Sequence, residues 1–184
     1  MVARLLAGRK KLLVVTGLGS ASYDVMATGD HENNYYLWAA MGSAATVGLG
    51  LATARPDYSV LVVTGDGEML MGFGALATIA IRKPANLTLA VLDNGHFGET
   101  GMQESHAGRG LALDQVAHAC GFSWSSKIAD LAGVDDLRDR LGTRDGVKFA
   151  RIKIAANNPP RALPSRDGAY IKNRFRSALG LQPI

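Results

Sequence analysis

Residues 60–67 read Val-Leu-Val-Val-Thr-Gly-Asp-Gly, and residues 87–95 read Leu-Thr-Leu-Ala-Val-Leu-Asp-Asn-Gly. Each is an apolar run that stops abruptly in polar, turn-forming residues. A strand with one wet face alternates; an unbroken apolar strand is covered on both faces, as in a parallel sheet. Residues 12–16 (LLVVT) have the same form and end in Gly17-Leu18-Gly19-Ser20, and residues 147–154 (VKFARIKI) supply a fourth run. Helical stretches lie between. Residues 41–54 carry small side chains at 42, 45, 48 and 52, a face for close packing. Residues 68–82 stop just before Pro84, and residues 111–119, 130–141 and 168–178 follow. Strands alternating with helices predict an α/β fold, a parallel sheet with helices on both faces. Residues 1–184 read as a single domain, with 157–184 a basic C-terminal tail beginning at Asn157-Asn158-Pro159-Pro160.

Composition excludes several classes. The 184 residues suit one domain with a full core. One cysteine rules out a disulfide framework and a cysteine-built zinc or iron–sulfur site. An apolar content of 47% rules out general disorder. No apolar run approaches the ~18–20 residues that cross a bilayer, so no membrane partner is expected. The opening MVARLLAGRKKLLVV has too short an apolar run for a signal peptide and leads into a strand, which reads as a mature cytoplasmic protein. The net charge of +4 splits into two basic ends, residues 1–11 and 161–184, on an acidic body. Nucleic-acid binding needs a basic face or motif helix, so none is expected. The ends fit arms against a partner or anion contacts at a site.

Ligands of open parallel sheets bind at the carboxyl ends of the strands. Three runs end there in TGLGS, TGDGE and LDNGHFGETG, which should converge on one crevice. Asp66 and Asn94 lie 28 residues apart, one βαβ unit, so a carboxylate and an amide oxygen stand side by side at neighbouring strand tips. Hard oxygens suit Mg²⁺ or Ca²⁺, and Mg²⁺ is usually held by one or two side chains plus phosphate oxygens and water. Next to a helix starting near Glu68, the pair points to a metal-bridged diphosphate, with Gly65 and Gly67 letting backbone N–H groups approach the phosphate. Asp-Gly or Asn-Gly alone is a common turn pair. Both together, at strand tips one unit apart, carry the signal.

Gly65-Asp66-Gly67 followed by Asp93-Asn94 resembles the GDG…NN signature of thiamine-diphosphate enzymes, in their diphosphate-binding (PP) domain. Tyr36–Ser43 resembles the segment that props the cofactor. GDGEMLMGFGALATIA and VLDNGHFGETGMQ are similar to runs in sulfopyruvate decarboxylase small subunits and phosphonopyruvate decarboxylases. The resemblance implies a PP-type fold binding thiamine diphosphate and Mg²⁺. Asp66, the Asn94 amide oxygen and the His96 backbone carbonyl would hold the metal, leaving the His96 ring free. Met41 would wedge beneath the cofactor, and the Ala39 carbonyl and Met41 N–H would bind its aminopyrimidine edge. Gly17, Gly19, Ser20, Gly67 and Glu68 would border the diphosphate. Many relatives have a small residue after GDG; for Glu68 the backbone N–H, not the carboxylate, is expected to face phosphate.

The family's activating glutamate sits on a separate pyrimidine-binding (PYR) domain, which this chain cannot accommodate. The resemblance therefore implies a hetero-oligomer with a PYR-domain subunit, acting on a small 2-oxo acid. Glu99 and His106 are the candidate catalytic residues. Glu99 is either a general acid or an acid at a helix start, and His106 either faces the pocket or solvent. His118 and Cys120 read as core. The leading function is a 2-oxo acid decarboxylase of the sulfopyruvate or phosphonopyruvate kind. The alternatives are a carboligase or lyase subunit of the acetolactate-synthase kind, and a non-catalytic diphosphate-binding regulatory module.

Overall fold

The computed structural model describes all 184 residues. Its centre is a six-stranded, wholly parallel sheet. The strands are β1 (Leu12–Thr16), β2 (Asn34–Tyr36), β3 (Ser59–Gly65), β4 (Leu87–Asp93), and, after a two-residue antiparallel pair β5 (His96–Phe97) and β6 (Gln103–Glu104), β7 (Trp124–Ile128) and β8 (Lys148–Lys153). Their order in the sheet is β2-β1-β3-β4-β8-β7. The helices are α1 (Val2–Leu5), α2 (Ser20–Met26), α3 (Ala44–Ala54), α4 (Asp66–Met71), α5 (Ala75–Arg82), α6 (Leu113–Cys120), α7 (Leu131–Arg140) and α8 (Gly168–Ala178).

Each face of the sheet has its own core, as unbroken apolar strands require. Leu13, Val15, Val60, Val62, Leu89 and Phe149 point to the side covered by α3, α5 and α6. Leu12, Val14, Leu61, Val63, Ala90 and Ile152 point to the other, covered by α1, α2 and α7. The small-residue face of α3 lets that helix lie close on β3. A Cβ on Gly48 would stand 2.3 Å from Val62 Cγ2.

The structure departs from the sequence reading in several places. The expected helix over 68–82 begins at Asp66 and is two helices, broken at Gly72-Phe73-Gly74. Gly72 packs on the Gly42 carbonyl, where an added Cβ would be 1.9 Å away, so the chain bends to make that contact. The helix expected from residue 41 starts at Ala44. Strands β2 and β7 carried no apolar run; both are edge strands with half-buried or polar positions. His118, expected in the core, is exposed, and Cys120 is half-buried against it.

Both basic ends are held in part by contacts within the chain. Arg4 pairs with Asp135 of α7, and Val2, Leu5 and Leu6 are buried. Helix α8 docks on β2: Phe175 is buried with its ring 5.4 Å from that of Tyr35, and Arg174 bonds Asp30 at 2.5 Å and the Asn34 carbonyl at 3.0 Å. Asp30 also accepts from the Tyr36 hydroxyl at 2.9 Å. Burial pushes that phenol far above its ordinary value.

Phe175→Ala tests whether α8 belongs to the folded unit. Loss of a buried aromatic of this kind costs ~3–5 kcal/mol. A drop of that size in the free energy of urea unfolding is expected; a drop below ~1 kcal/mol would mean that α8 is not docked.

Candidate active site

Strands β1, β3 and β4 are neighbours, so the loops leaving their carboxyl ends meet at one edge of the sheet. They meet through their glycines. A Cβ on Gly17 would lie 1.6 Å from Glu68 Oε2, one on Gly19 (φ +77°) 2.7 Å from Glu99 Cγ, and one on Gly67 2.6 Å from the Phe97 ring. Only glycine permits these contacts, and Gly19 also needs its left-handed backbone. The first loop is tied down by Gly17 N–H donating to Val63 O at 2.8 Å and Ser22 Oγ donating to Gly17 O at 2.7 Å.

Asp66 opens α4 and is buried, at 1% exposure. Its Oδ2 accepts from Ser105 Oγ at 2.5 Å. Burial pushes the Asp66 carboxyl above its ordinary value; the Ser105 hydroxyl pulls it down, and nearby Asp93 pushes it up again. Asp93 is fully buried at the end of β4. It accepts from Arg151 Nε at 2.5 Å, lies 3.1 Å from Lys153 Nζ, and receives Gly95 N–H at 2.9 Å. Arg151 also donates to Ala107 O at 3.2 Å. Next in the chain, Asn94 Oδ1 accepts His96 N–H at 2.9 Å, an Asx turn that presents Asn94 and His96 beside Asp66.

Asp66, Asn94 and His96 line one open cleft. Of the residues expected from the sequence, Ser20, Met41, Gly65, Asp66, Gly67, Glu68, Asn94, His96 and Glu99 line it. Gly17 and Gly19 border it through the contacts above. Ala39 does not line it; Ala39 is exposed and holds a left-handed backbone (φ +59°) two residues before Met41. His106 does not join Glu99: it is exposed on its loop and outside the cleft lining. The His96 ring is not free, since Nδ1 sits 2.8 Å from Asn94 O. A carbonyl can only accept, so Nδ1 carries the proton in that bond. Glu99 lies on a single 3₁₀ turn, Gly98–Thr100, rather than at the start of an α-helix.

Glu68 directs its carboxylate beneath the first loop, where Oε2 accepts from Thr64 Oγ1 at 2.9 Å and Oε1 is buried without a partner. Burial pushes this carboxyl up, opposed by the Thr64 hydroxyl. Sequence reasoning missed Ser105, which sits 39 residues from Asp66 in the chain and joins it only through the fold of the β4 loop. It also missed the apolar walls Leu92, Phe97 and Ile154.

The donor chemistry fits Mg²⁺. Asp66 is a buried carboxylate near a second one, and Arg151 and Lys153, on the strand beside β4, are spent on Asp93. No three His, Cys, Asp or Glu side chains come together to hold a metal, so a cation here would draw on amide, carbonyl and phosphate oxygens. A diphosphate fits the same geometry, because the cleft presents the backbone of two glycine-rich loops at the starts of α2 and α4.

The family model of the thiamine pyrophosphate enzyme C-terminal TPP-binding domain matches residues 17–149, and the chain belongs to this family. It is 40% identical over 172 residues to a sulfopyruvate decarboxylase of Methanosarcina acetivorans, covering 92% of this chain and 44% of that one. It is 37% identical over 180 residues to a phosphonopyruvate decarboxylase of Streptomyces viridochromogenes, covering 92% and 43%. It is 32% identical over 173 residues to a sulfopyruvate decarboxylase subunit beta of Methanococcus maripaludis, covering 91% and 89%. The chain thus spans less than half the length of the first two relatives and most of the third. Among solved structures, 2-oxoglutarate:ferredoxin oxidoreductase from Magnetococcus marinus shares the fold, with a TM-score of 0.69 over 99% of this chain and 74% of that one at 21% identity.

If Ser105 orients Asp66, Ser105→Ala should weaken divalent-cation binding about tenfold or more, as loss of a ligand's supporting hydrogen bond commonly does. Mn²⁺ titration followed by electron paramagnetic resonance, with thiamine diphosphate present, measures this. Ser105→Thr should restore affinity. Equal affinity in the alanine variant would show that the hydroxyl plays no such part.

Proposed function

We propose that this chain, residues 1–184, is the diphosphate-binding domain of a thiamine-diphosphate-dependent decarboxylase of a small 2-oxo acid. In this reading it works in the cytoplasm with a separate PYR-domain subunit that supplies the activating glutamate. The observation that carries the reading is similarity along nearly the whole of a relative named as a decarboxylase subunit beta, while the single-chain relatives are more than twice as long as their matched part. The lone cysteine, a free thiol, suits a reducing compartment.

Bound thiamine diphosphate would supply the electron sink for loss of CO₂. The protein's part is to bind, orient and exclude water. Asp66, the Asn94 amide oxygen and the His96 carbonyl would hold Mg²⁺, whose charge offsets diphosphate in a cleft lined by Asp66, Glu68 and Glu99 and by no lysine or arginine. The Glu68 carboxylate is turned away from the open cleft by its contact with Thr64. Met41, more than half exposed at the rim, would be free to pack under the cofactor and offer its N–H to the aminopyrimidine edge; Ala39, outside the cleft lining, could add only its backbone carbonyl. Leu92, Phe97 and Ile154 form dry walls. Glu99, at the mouth, would hold the proton that replaces CO₂ on the carbonyl carbon, giving an aldehyde.

Co-expressed with its PYR-domain subunit and supplied with Mg²⁺ and thiamine diphosphate, the chain should release CO₂ from a sulfonated or phosphonated 2-oxo acid. One aldehyde should appear per CO₂. No CO₂ from any 2-oxo acid would rule out a decarboxylase and leave the regulatory module. CO₂ with a carbon–carbon ligation product in place of the aldehyde would make the enzyme a carboligase.

A further inference from the structure

The proposed acids bring two anionic groups to the site: the carboxylate that leaves and a remote sulfonate or phosphonate that stays. A buried anion without a partner is costly. The cleft lining offers three carboxylates and no lysine or arginine. Among nearby cations, Arg151 and Lys153 are held by buried Asp93, and Arg109 is paired with Glu104 out in solvent.

Arg161 is placed differently. Its guanidinium lies 3.4 Å from Glu99 Oε2 at the mouth of the cleft and 5.4 Å from the centre of the Tyr23 ring. The segment that carries it is stiffened before Arg161 and anchored after it. Before it, Pro159 and Pro160 stiffen the backbone; after it, Pro164 is buried and Trp38 Nε1 donates to Ser165 O at 2.7 Å. The planar fork of arginine matches a three-oxygen anion. Its present partner is a long, half-exposed ion pair, with side-chain exposures of 54% and 35%. Such pairs hold weakly, so exchange for a substrate anion is easy.

We propose that Arg161 is the specificity-determining residue of the site, binding the remote sulfonate or phosphonate of the substrate. Its exchange of partners releases the Glu99 carboxyl to face the reacting carbon. This rests on the decarboxylase reading above. It gives the C-terminal segment a task within its own chain and makes the substrate's second charge part of assembling the site.

The test uses the complete enzyme with its PYR-domain subunit. Steady-state kinetics are measured on sulfopyruvate and on pyruvate for the wild type, Arg161→Gln and Arg161→Lys. The ratio of kcat/KM for sulfopyruvate over pyruvate should fall about 10–100-fold in Arg161→Gln, mainly through KM, which is ~1.4–2.8 kcal/mol at 1.4 kcal/mol per tenfold. Arg161→Lys, which keeps the charge and loses the fork, should fall between. Calorimetry with 3-sulfopropanoate, which has no carbonyl to react, should show the same loss of affinity in Arg161→Gln. A ratio changed less than threefold, or undiminished 3-sulfopropanoate binding, would overturn the proposal. Wild-type activity on none of sulfopyruvate, phosphonopyruvate and pyruvate would instead overturn the decarboxylase reading, so the two failures are told apart.

Discussion

The site hangs on one buried ion pair. Asp93 ends the central strand β4 with no exposed surface, and Arg151 reaches it from the adjacent strand β8 at 2.5 Å. The same guanidinium holds the Ala107 carbonyl, while Asp93 receives the Gly95 N–H. The first contact binds the far end of the β4 loop to the sheet, and the second bends its near end. Between them lie Asn94, His96, Glu99 and Ser105, every candidate group that this loop contributes. Removing one member of a buried pair leaves an uncompensated charge and commonly costs ~3–5 kcal/mol. The pair also has an electrostatic effect. By consuming Arg151 and Lys153 it leaves Asp66 without a cation of its own, so the local charge favours a metal ion rather than a protein ammonium.

Glycine does the complementary work of bringing backbones together. Gly17 against Glu68, Gly19 against Glu99 and Gly67 against Phe97 interlock the three loops, and Gly72 against Gly42 brings α4 under the segment that carries Met41. None of these positions has room for a methyl group. The cleft is therefore a product of close packing at the carboxyl edge of the sheet. Left-handed backbone at Ala39 and Met102, neither of them glycine, falls on two segments flanking the same edge. Such conformations cost ~1–3 kcal/mol each and persist where surrounding structure enforces them.

Much of this was legible in the sequence because it follows from short-range chemistry. Unbroken runs such as 60–64 and 87–92 read as doubly covered strands, and the pairing of Asp66 with Asn94 followed from one βαβ repeat. What escaped depended on distant partners. Strand β2, three residues long, exists because Asn34–Tyr36 finds the edge of β1, and nothing in Asn-Tyr-Tyr announces it. Ser105 reaches Asp66 only once the loop has folded back. The basic ends read as arms against a partner or as anion contacts because charge alone does not show that Asp135 and Asp30 wait elsewhere in the chain. His106 shared a loop with Glu99 but not a direction, and loop residues carry no periodicity from which direction can be read.

We propose that the edge formed by β1, β3 and β4 is a thiamine diphosphate and Mg²⁺ site that becomes complete with a second subunit. Isothermal calorimetry of thiamine diphosphate in Mg²⁺, into this chain alone and into the chain combined with its PYR-domain subunit, tests it most directly. The account requires one cofactor bound per pair of subunits, tighter in the pair than in the chain alone and lost when EDTA removes the metal. Absence of binding in both preparations, or binding that is indifferent to Mg²⁺, would contradict it.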